Sequence, residues 1–169
     1  MNIGISFGRY NPPHIGHKRL WEIAAGYDDF YIGTNSNTYN KENPIRYNIK
    51  VGIMMDIFPL LKGHILDENN ILYMCSTIYN KCGMENDIKI CSEEKWVLPL
   101  LNKYNGINEE HGYYKFNSYE LITTERISSA SMLRKALNDG NRDLFDKNSG
   151  ILYVCGISYY DYVKKYINS

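Results

Sequence analysis

The sequence has little that would suit a secreted, membrane-bound or polyanion-binding protein. Its four cysteines show no CxxC spacing, and it has neither a signal peptide nor an apolar run of transmembrane length. We therefore expect a reduced, cytoplasmic protein without a membrane partner. Nineteen basic residues balance nineteen acidic ones, so no nucleic-acid partner is expected either. Any anion that the protein binds must be held by a local site.

Two common phosphate-binding signatures are also missing. The sequence contains neither a GxGxxG dinucleotide fingerprint nor a GxxxxGK[ST] loop. Their absence argues against a dehydrogenase and against a Walker-type phosphotransferase.

What the sequence does contain is an alternation of short β-type runs with longer amphipathic segments, which is typical of a parallel α/β sheet. The predicted strands are Asn2–Phe7, Asp28–Asn35, His64–Leu66, Asp87–Cys91 and Ser118–Ile122. The predicted helices are Ile15–Ala25, Ile45–Leu60, Ile71–Asn80, Glu93–Tyr104 and a C-terminal series that opens with Ser131–Leu137. At 169 residues with 44% hydrophobic content, the chain suits a single domain over residues 1–169.

The stretch FGRYNPPHIGH, residues 7–17, combines a turn with a helix start. Its two prolines fix the backbone before or at the first helical turn. His14 and His17 lie three residues apart, so both project from that turn, where N–H groups and the helix dipole attract anions. Gly16 between them leaves room for a ligand. The two imidazoles would bind phosphate oxygens; the alternative is that two surface histidines fell near a helix start by chance.

A second stretch, SSASMLR at residues 128–134, also has the pattern of an anion site. Ser129 is a natural N-cap, and Ser131 and Arg134 lie on one face of the helix that follows. The guanidinium would grip phosphate oxygens in a fork geometry. Taken alone, the stretch is more typical of an ordinary capped helix with a solvated arginine. Only its pairing with the histidine stretch favours an anion site.

Together, GRYNPPHIGH and SSASMLR resemble the two signatures of the HxGH nucleotidyltransferase superfamily, which includes cytidylyltransferases and nicotinamide mononucleotide adenylyltransferases. Ser128 and Ala130 depart from the usual ISSTxxR-like signature, but they leave the hydroxyls and the guanidinium in place. The resemblance implies a Rossmann-like sheet with helices on both faces and a nucleotide beyond the carboxyl ends of the strands.

The resemblance extends along nearly the whole chain to phage-encoded members of that superfamily. It is carried there by NPIRYNIKVGIMMDIFP, residues 43–59, by LLNKYNG, residues 100–106, and by HGYYKF, residues 111–116. A phage-encoded protein of this type would act in the host cytoplasm.

The resemblance also implies a mechanism. An acceptor phosphate oxygen would attack the α-phosphorus of a nucleoside triphosphate in line and release pyrophosphate. The implied catalytic residues are His14 and His17 at the α-phosphate and Arg134 at the β,γ end. Mg²⁺ would arrive with the triphosphate, and no separate metal site is expected. Nucleotide contacts are implied for Gly8, Arg9, Tyr10, Gly16, Ser129 and Ser131, and phosphate or acceptor contacts for Lys41, Arg46 and Lys50, each of which also fits a solvated charge.

The sequence leaves the base and the acceptor open. Adenylyl transfer to nicotinamide mononucleotide, a step of NAD biosynthesis, is the first choice, and cytidylyl transfer to a phosphorylated alcohol or sugar is the alternative. A non-catalytic nucleotide sensor is a third hypothesis, against which the intact His14, His17 and Arg134 argue. The expected partners are therefore a nucleoside triphosphate and a small phosphorylated acceptor. The Tyr-rich tail, residues 151–167, would pack on its own domain or, in a homo-oligomer, on a second subunit.

Overall fold

The computed structural model describes residues 1–37 and 39–167. The helices are α1 (Ile15–Ala25), α2 (Tyr47–Ile57), α3 (Ile71–Cys82), α4 (Val97–Tyr104), α5 (Ala130–Asn138), α6 (Arg142–Ser149) and α7 (Tyr159–Tyr166). The strands are β1 (Asn2–Phe7), β2 (Asp29–Thr34), β3 (Ile65–Asp67), β4 (Asp87–Cys91), β5 (Ser118–Ile122), β6 (Tyr153–Val154) and β7 (Ile157–Ser158). Within the described residues, no helix has the length and apolar character needed to span a membrane.

Strands β1 to β5 form one sheet in the order β3-β2-β1-β4-β5. Every neighbouring pair in it is parallel. The order reverses between β1 and β4, and α/β sheets bind ligands beyond the carboxyl ends of the strands at such a reversal. This topology confirms the predicted class, an α/β fold with a Rossmann-like parallel sheet of five strands and a helical C-terminus.

The bounds of α1, β1, β4 and β5 are those predicted from the sequence. Helix α2 is shorter than its prediction because Phe58, which precedes a proline, leaves the helical region with φ −141° and ψ 87°. A separate 3₁₀ turn, Pro59–Leu61, follows it. Helix α4 begins later than predicted because the Ser92 hydroxyl accepts a hydrogen bond from the Glu94 N–H at 3.0 Å and holds a turn there.

The chain divides into two compact units, each assembled from separate segments. The first unit comprises Met1–Gly8, Leu20–Asn35 and His64–Glu125. On one face of its sheet, buried strand residues such as Ile3 and Ile5 pack with α3 and α4. Gly4 lies between them and points to the other face, where a Cβ would stand 2.3 Å from the Ala24 carbonyl oxygen of α1. Helices therefore cover both faces of this sheet.

The second unit comprises Arg9–Arg19, Ser36–Gly63 and Arg126–Ser169. Its buried core draws on α2, α5, α6, α7 and a short hairpin, through Ile45, Ile53, Leu133, Ala136, Leu137, Phe145, Val154, Tyr159, Tyr160 and Val163. The Tyr-rich tail thus packs within its own unit, whereas a homo-oligomer stays a prediction. The single domain over residues 1–169 also stays a prediction.

The hairpin of β6 and β7 interrupts the helical series expected at the C-terminus. Its two strands pair antiparallel through a two-residue turn at Cys155 and Gly156. Both turn residues have positive φ, 51° and 80°, as a type I′ turn requires. Strands of two residues are too short for their apolar pattern to be recognised in a sequence.

Candidate functional site

The histidine stretch follows β1 and is held by buried groups. Tyr10 is 2% exposed and has a left-handed backbone, with φ 50°, which costs a non-glycine residue about 1 kcal/mol or more. The Asn11–Pro12 peptide bond is cis. The Tyr159 hydroxyl of the tail donates a hydrogen bond to the Pro13 carbonyl at 2.5 Å. The stretch that carries the histidines is therefore anchored on both sides of the prolines.

The two histidines cap the start of α1 reciprocally. His14 stands immediately before the helix, and its Nδ1 accepts hydrogen bonds from the backbone N–H groups of Gly16 at 3.1 Å and His17 at 3.3 Å. In return, His17 Nδ1 accepts from the His14 N–H at 3.1 Å. This is the arrangement of a capping box, with imidazoles in the places of the usual Ser or Thr and Glu or Gln.

This capping determines which ring nitrogens carry protons. A neutral imidazole that accepts at Nδ1 has its hydrogen on Nε2, so both rings present Nε2–H as their donor. The rings of His14 and His17 are stacked, with centroids 3.5 Å apart and an interplanar angle of 18°. The Tyr10 ring meets the His17 ring edge-on at 4.8 Å. Two parallel donors are thereby fixed at one helix start.

Both imidazoles are neutral at pH 7. Burial lowers the pKa of His14 to about 4, and the charge of Arg126 acts in the same direction. Burial also lowers the pKa of His17 well below its ordinary value, with further lowering by His14 and Arg126. The pair can therefore donate hydrogen bonds to an anion, while any positive charge at the site must come from other side chains.

Arg126 acts electrostatically on both histidines and was not among the residues predicted from the sequence. It is exposed, and its charge lowers the pKa of both histidines. The adjacent Ile127 would lie 3.7 Å from a Cβ at Gly16, so this segment lies beside the start of α1. The available signal was a basic residue just before a stretch already assigned to phosphate binding.

The Gly16 position is crowded by the His14 ring. A Cβ there would stand 2.9 Å from His14 Cε1 and 3.0 Å from His14 Nδ1. The absence of a side chain at Gly16 therefore makes room for an imidazole. The sequence suggests a different reason for this glycine, namely that it leaves room for a ligand.

The second stretch begins α5 and reaches the first through Arg134. Ser129 is at the N-cap position, as predicted, but its side chain makes no cap hydrogen bond. Its Oγ lies 2.7 Å from the Ser131 Oγ instead. Arg134 Nη1 donates a hydrogen bond to the Asn11 carbonyl at 2.8 Å. Residues 9–17 of the first stretch and the whole second stretch thus lie in the same compact unit and are joined directly by this hydrogen bond.

Charged groups around Arg134 set its electrostatic surroundings. Burial lowers the pKa of Arg134; Glu42 acts to raise it and Arg9 to lower it. Arg9 Nη1 lies 3.5 Å from a Glu42 carboxylate oxygen, and both side chains are mostly exposed. The guanidinium groups of Arg9 and Arg134 thus both act on the surroundings of one carboxylate, that of Glu42.

The remaining predicted contacts differ in their surroundings. Lys41 is exposed, and the Arg46 guanidinium lies 4.2 Å from the centroid of the Tyr39 ring. Lys50 is 2% exposed, which excludes the solvated-charge interpretation for that lysine. Gly8 belongs to the first unit, where its N–H donates to the Gly33 carbonyl at 3.1 Å.

Potential metal ligands are sparse in the part of the chain that the structure describes. Across residues 1–37 and 39–167, no group of three or more His, Cys, Asp and Glu side chains could hold a metal ion. Any divalent cation would rely on ligands from a bound substrate and water.

Comparisons with known proteins support the fold. No protein-family model matches this chain, and no curated protein matches it. Among solved structures, it is similar to the crystal structure of Thermotoga maritima TmcAL bound with alpha-thio ATP, with a TM-score of 0.50 and 11% sequence identity. The match covers 97% of this chain and 55% of that chain. The chain therefore spans about half the length of its structural neighbour.

Proposed function

We propose that this protein is a nucleotidyltransferase that transfers a nucleoside monophosphate from a nucleoside triphosphate to a phosphorylated acceptor. The observation that carries the proposal is the pair of neutral imidazoles, His14 and His17, with Arg134 bonded to the same loop. The fold similarity to a protein solved with an ATP analogue is consistent with nucleotide binding.

The proposed reaction is a single in-line displacement. An oxygen of the acceptor phosphate forms a bond to the α-phosphorus while the bond from that phosphorus to the α,β-bridging oxygen breaks. Pyrophosphate leaves with the bonding electrons, and no covalent enzyme intermediate forms. Catalysis of this kind depends on positioning and on stabilisation of moving charge.

Each residue of the site has a part in this reaction. The Nε2–H groups of His14 and His17 donate to the α-phosphate and to the bridging oxygen, on which negative charge builds up. These groups stabilise the developing charge by hydrogen bonding, without transferring a proton. Arg134 holds the β,γ end in a fork geometry, near Ser129 and Ser131. Arg126 adds positive charge beside the histidines.

Magnesium fits this proposal as a companion of the triphosphate. The described residues offer no cluster of metal ligands, and Mg²⁺ commonly keeps several waters and binds through substrate phosphates. When bound, it would neutralise phosphate charge.

The preferred substrates are ATP and nicotinamide mononucleotide. The choice of ATP is consistent with the ATP analogue bound in the structural neighbour. The sequence resemblance to the adenylyltransferases favours nicotinamide mononucleotide as the acceptor. CTP with a phosphorylated alcohol or sugar is the alternative.

The experiment that tests the proposal is pyrophosphate release in the presence of Mg²⁺. ATP and CTP are supplied separately with nicotinamide mononucleotide and with a panel of phosphorylated alcohols and sugars, and His17→Ala is the control. Release with ATP and nicotinamide mononucleotide supports the preferred activity, and CTP-selective release supports the alternative. Nucleotide binding without release from any pair would favour the non-catalytic sensor.

A further inference from the structure

Asn11 makes an unusual pair of hydrogen bonds from a buried position. The residue is 2% exposed. Its Nδ2 donates to the Ile45 carbonyl at 2.9 Å, and its Oδ1 accepts from the Ile45 N–H at 2.9 Å. Two bonds exchanged with one residue, as between paired antiparallel strands, fix both the position and the orientation of the amide. The loop before α1 is thereby attached to the segment that precedes α2.

The backbone of the same residue contacts the second stretch. The Asn11 carbonyl accepts a hydrogen bond from Arg134 Nη1 at 2.8 Å. Because a guanidinium is a rigid planar fork, fixing one of its N–H groups limits the directions in which the others can point. The acceptor is an uncharged carbonyl, so the hydrogen bond orients Arg134 without neutralising it.

We propose that Asn11 is the positioning residue of the phosphate site. Its side chain, anchored on the Ile45 backbone, holds its carbonyl in place, and the carbonyl orients the Arg134 guanidinium toward the β- and γ-phosphates. This inference rests on the proposed function, in which Arg134 contacts the triphosphate. Asn11 itself touches no substrate and acts through Arg134.

A double-mutant cycle separates this role from a purely structural one. The variants are Asn11→Ala, Arg134→Ala and the double variant of the full chain. One readout is the affinity for inorganic tripolyphosphate, measured by calorimetry, which requires no turnover. The second is kcat and KM for ATP in pyrophosphate release. If two residues are independent, the factors by which the single variants lose affinity or activity multiply in the double variant. If they act as a unit, the double variant loses less than that product.

The expected result is coupling between the two positions. Asn11→Ala should weaken tripolyphosphate binding about tenfold and lower kcat/KM for ATP up to about 100-fold, as misplacement of a contacting group does. In the Arg134→Ala background, Asn11→Ala should then change either quantity by no more than about twofold. If Asn11→Ala does not fold, Asn11→Ser takes its place, because it keeps a small polar side chain without adding a charge beside Arg134.

Asn86→Ala is the matched control for the loss of a buried amide. Asn86 is 3% exposed, and its Nδ2 donates to the carbonyls of Cys82, Gly83 and Met84. This variant should lower thermal stability and leave tripolyphosphate affinity unchanged.

Three results would overturn the proposal. The first is that the factors by which the Asn11 and Arg134 variants lose tripolyphosphate affinity multiply in the double variant. The second is that an Asn11 variant, like Asn86→Ala, loses thermal stability but no tripolyphosphate affinity. The third is that the wild-type protein does not bind tripolyphosphate. Coupled tripolyphosphate binding in a protein that releases no pyrophosphate would instead contradict the proposed function and leave the role of Asn11 intact.

Discussion

His14 and His17 exchange hydrogen bonds across the first turn of α1: each Nδ1 accepts from backbone N–H, at 3.1 to 3.3 Å. The same ring nitrogens that cap the helix thereby fix the hydrogens on Nε2. A structural task and a proposed catalytic task are therefore assigned to opposite nitrogens of each ring. Variants that keep the cap and remove the Nε2–H can separate the two tasks.

The stability of the protein should fall in acid because of His14. Its pKa is about 4 in the folded protein against an ordinary 6.5, so the unfolded chain binds the proton more readily. The stabilisation is complete above pH 6.5 and is lost as the pH falls toward 4. His14 alone accounts for about 3 kcal/mol over that window, and His17 acts in the same direction.

Urea denaturation at a series of pH values measures this effect. The control is His14→Asn, because asparagine is a good N-cap and does not titrate. The free energy of unfolding of the variant should fall less steeply between pH 6.5 and pH 4. Equal slopes for the variant and the wild type would show that His14 is not held neutral by the fold.

Replacement of Arg126 should raise the pKa of both histidines. Arg126→Gln removes a positive charge that lowers them, but burial is the larger cause, so the pKa of His14 should stay below 6.5. NMR titration of the imidazole protons measures the shift, and the acid limb of kcat/KM against pH should move to higher pH. The control is Arg19→Gln, which removes an exposed arginine of α1 and should leave the titrations of both histidines unchanged. If the two histidines have the same pKa with and without the Arg126 charge, Arg126 does not belong to the site.

A methyl group at Gly16 should disturb the imidazole pair. In Gly16→Ala the new carbon would lie 2.9 Å from the His14 ring, which is tied by the hydrogen bonds from Gly16 and His17. We expect a loss of about 1–3 kcal/mol in the free energy of unfolding and a loss of turnover. Denaturation and pyrophosphate release measure the two effects.

Gly52→Ala is the matched control for that substitution. Gly52 lies within α2, and a Cβ there would meet nothing within 4 Å. The free energy of unfolding should rise by about 0.5–1 kcal/mol because alanine favours the helix more than glycine does, and turnover should be unaffected. A Gly16→Ala protein as stable and active as Gly52→Ala would contradict the packing described for His14.

The elements of the sheet were predictable from the sequence because short β-type runs alternate there with longer amphipathic segments. The short strands β6 and β7 were not, since two residues carry no periodicity. Spacing alone placed His14 and His17 on one helical turn and Ser129 at an N-cap position. Which ring nitrogen caps and which donates depends on side-chain geometry, which spacing does not determine.

The contacts between distant segments were beyond sequence patterns. Arg126 lies outside both signatures, and Asn11 lies within the first signature but was given no role from the sequence. Arg134 meets Asn11 across 123 positions of the chain, and no local pattern indicates such a contact. The sequence thus nominated residues for a candidate site, whereas only the fold shows which of them contact one another.

The most direct test of the account is the turnover of a double variant, His14→Ser with His17→Ala. Serine at the N-cap keeps an acceptor for the first backbone N–H groups of α1, and alanine is a good helix former, while both imidazole Nε2–H donors are lost. The account predicts a protein that folds like the wild type at pH 7, with pyrophosphate release from the active substrate pair lowered by about 100-fold or more. Release at the wild-type rate would contradict it, because the two imidazoles would then serve only to cap the helix.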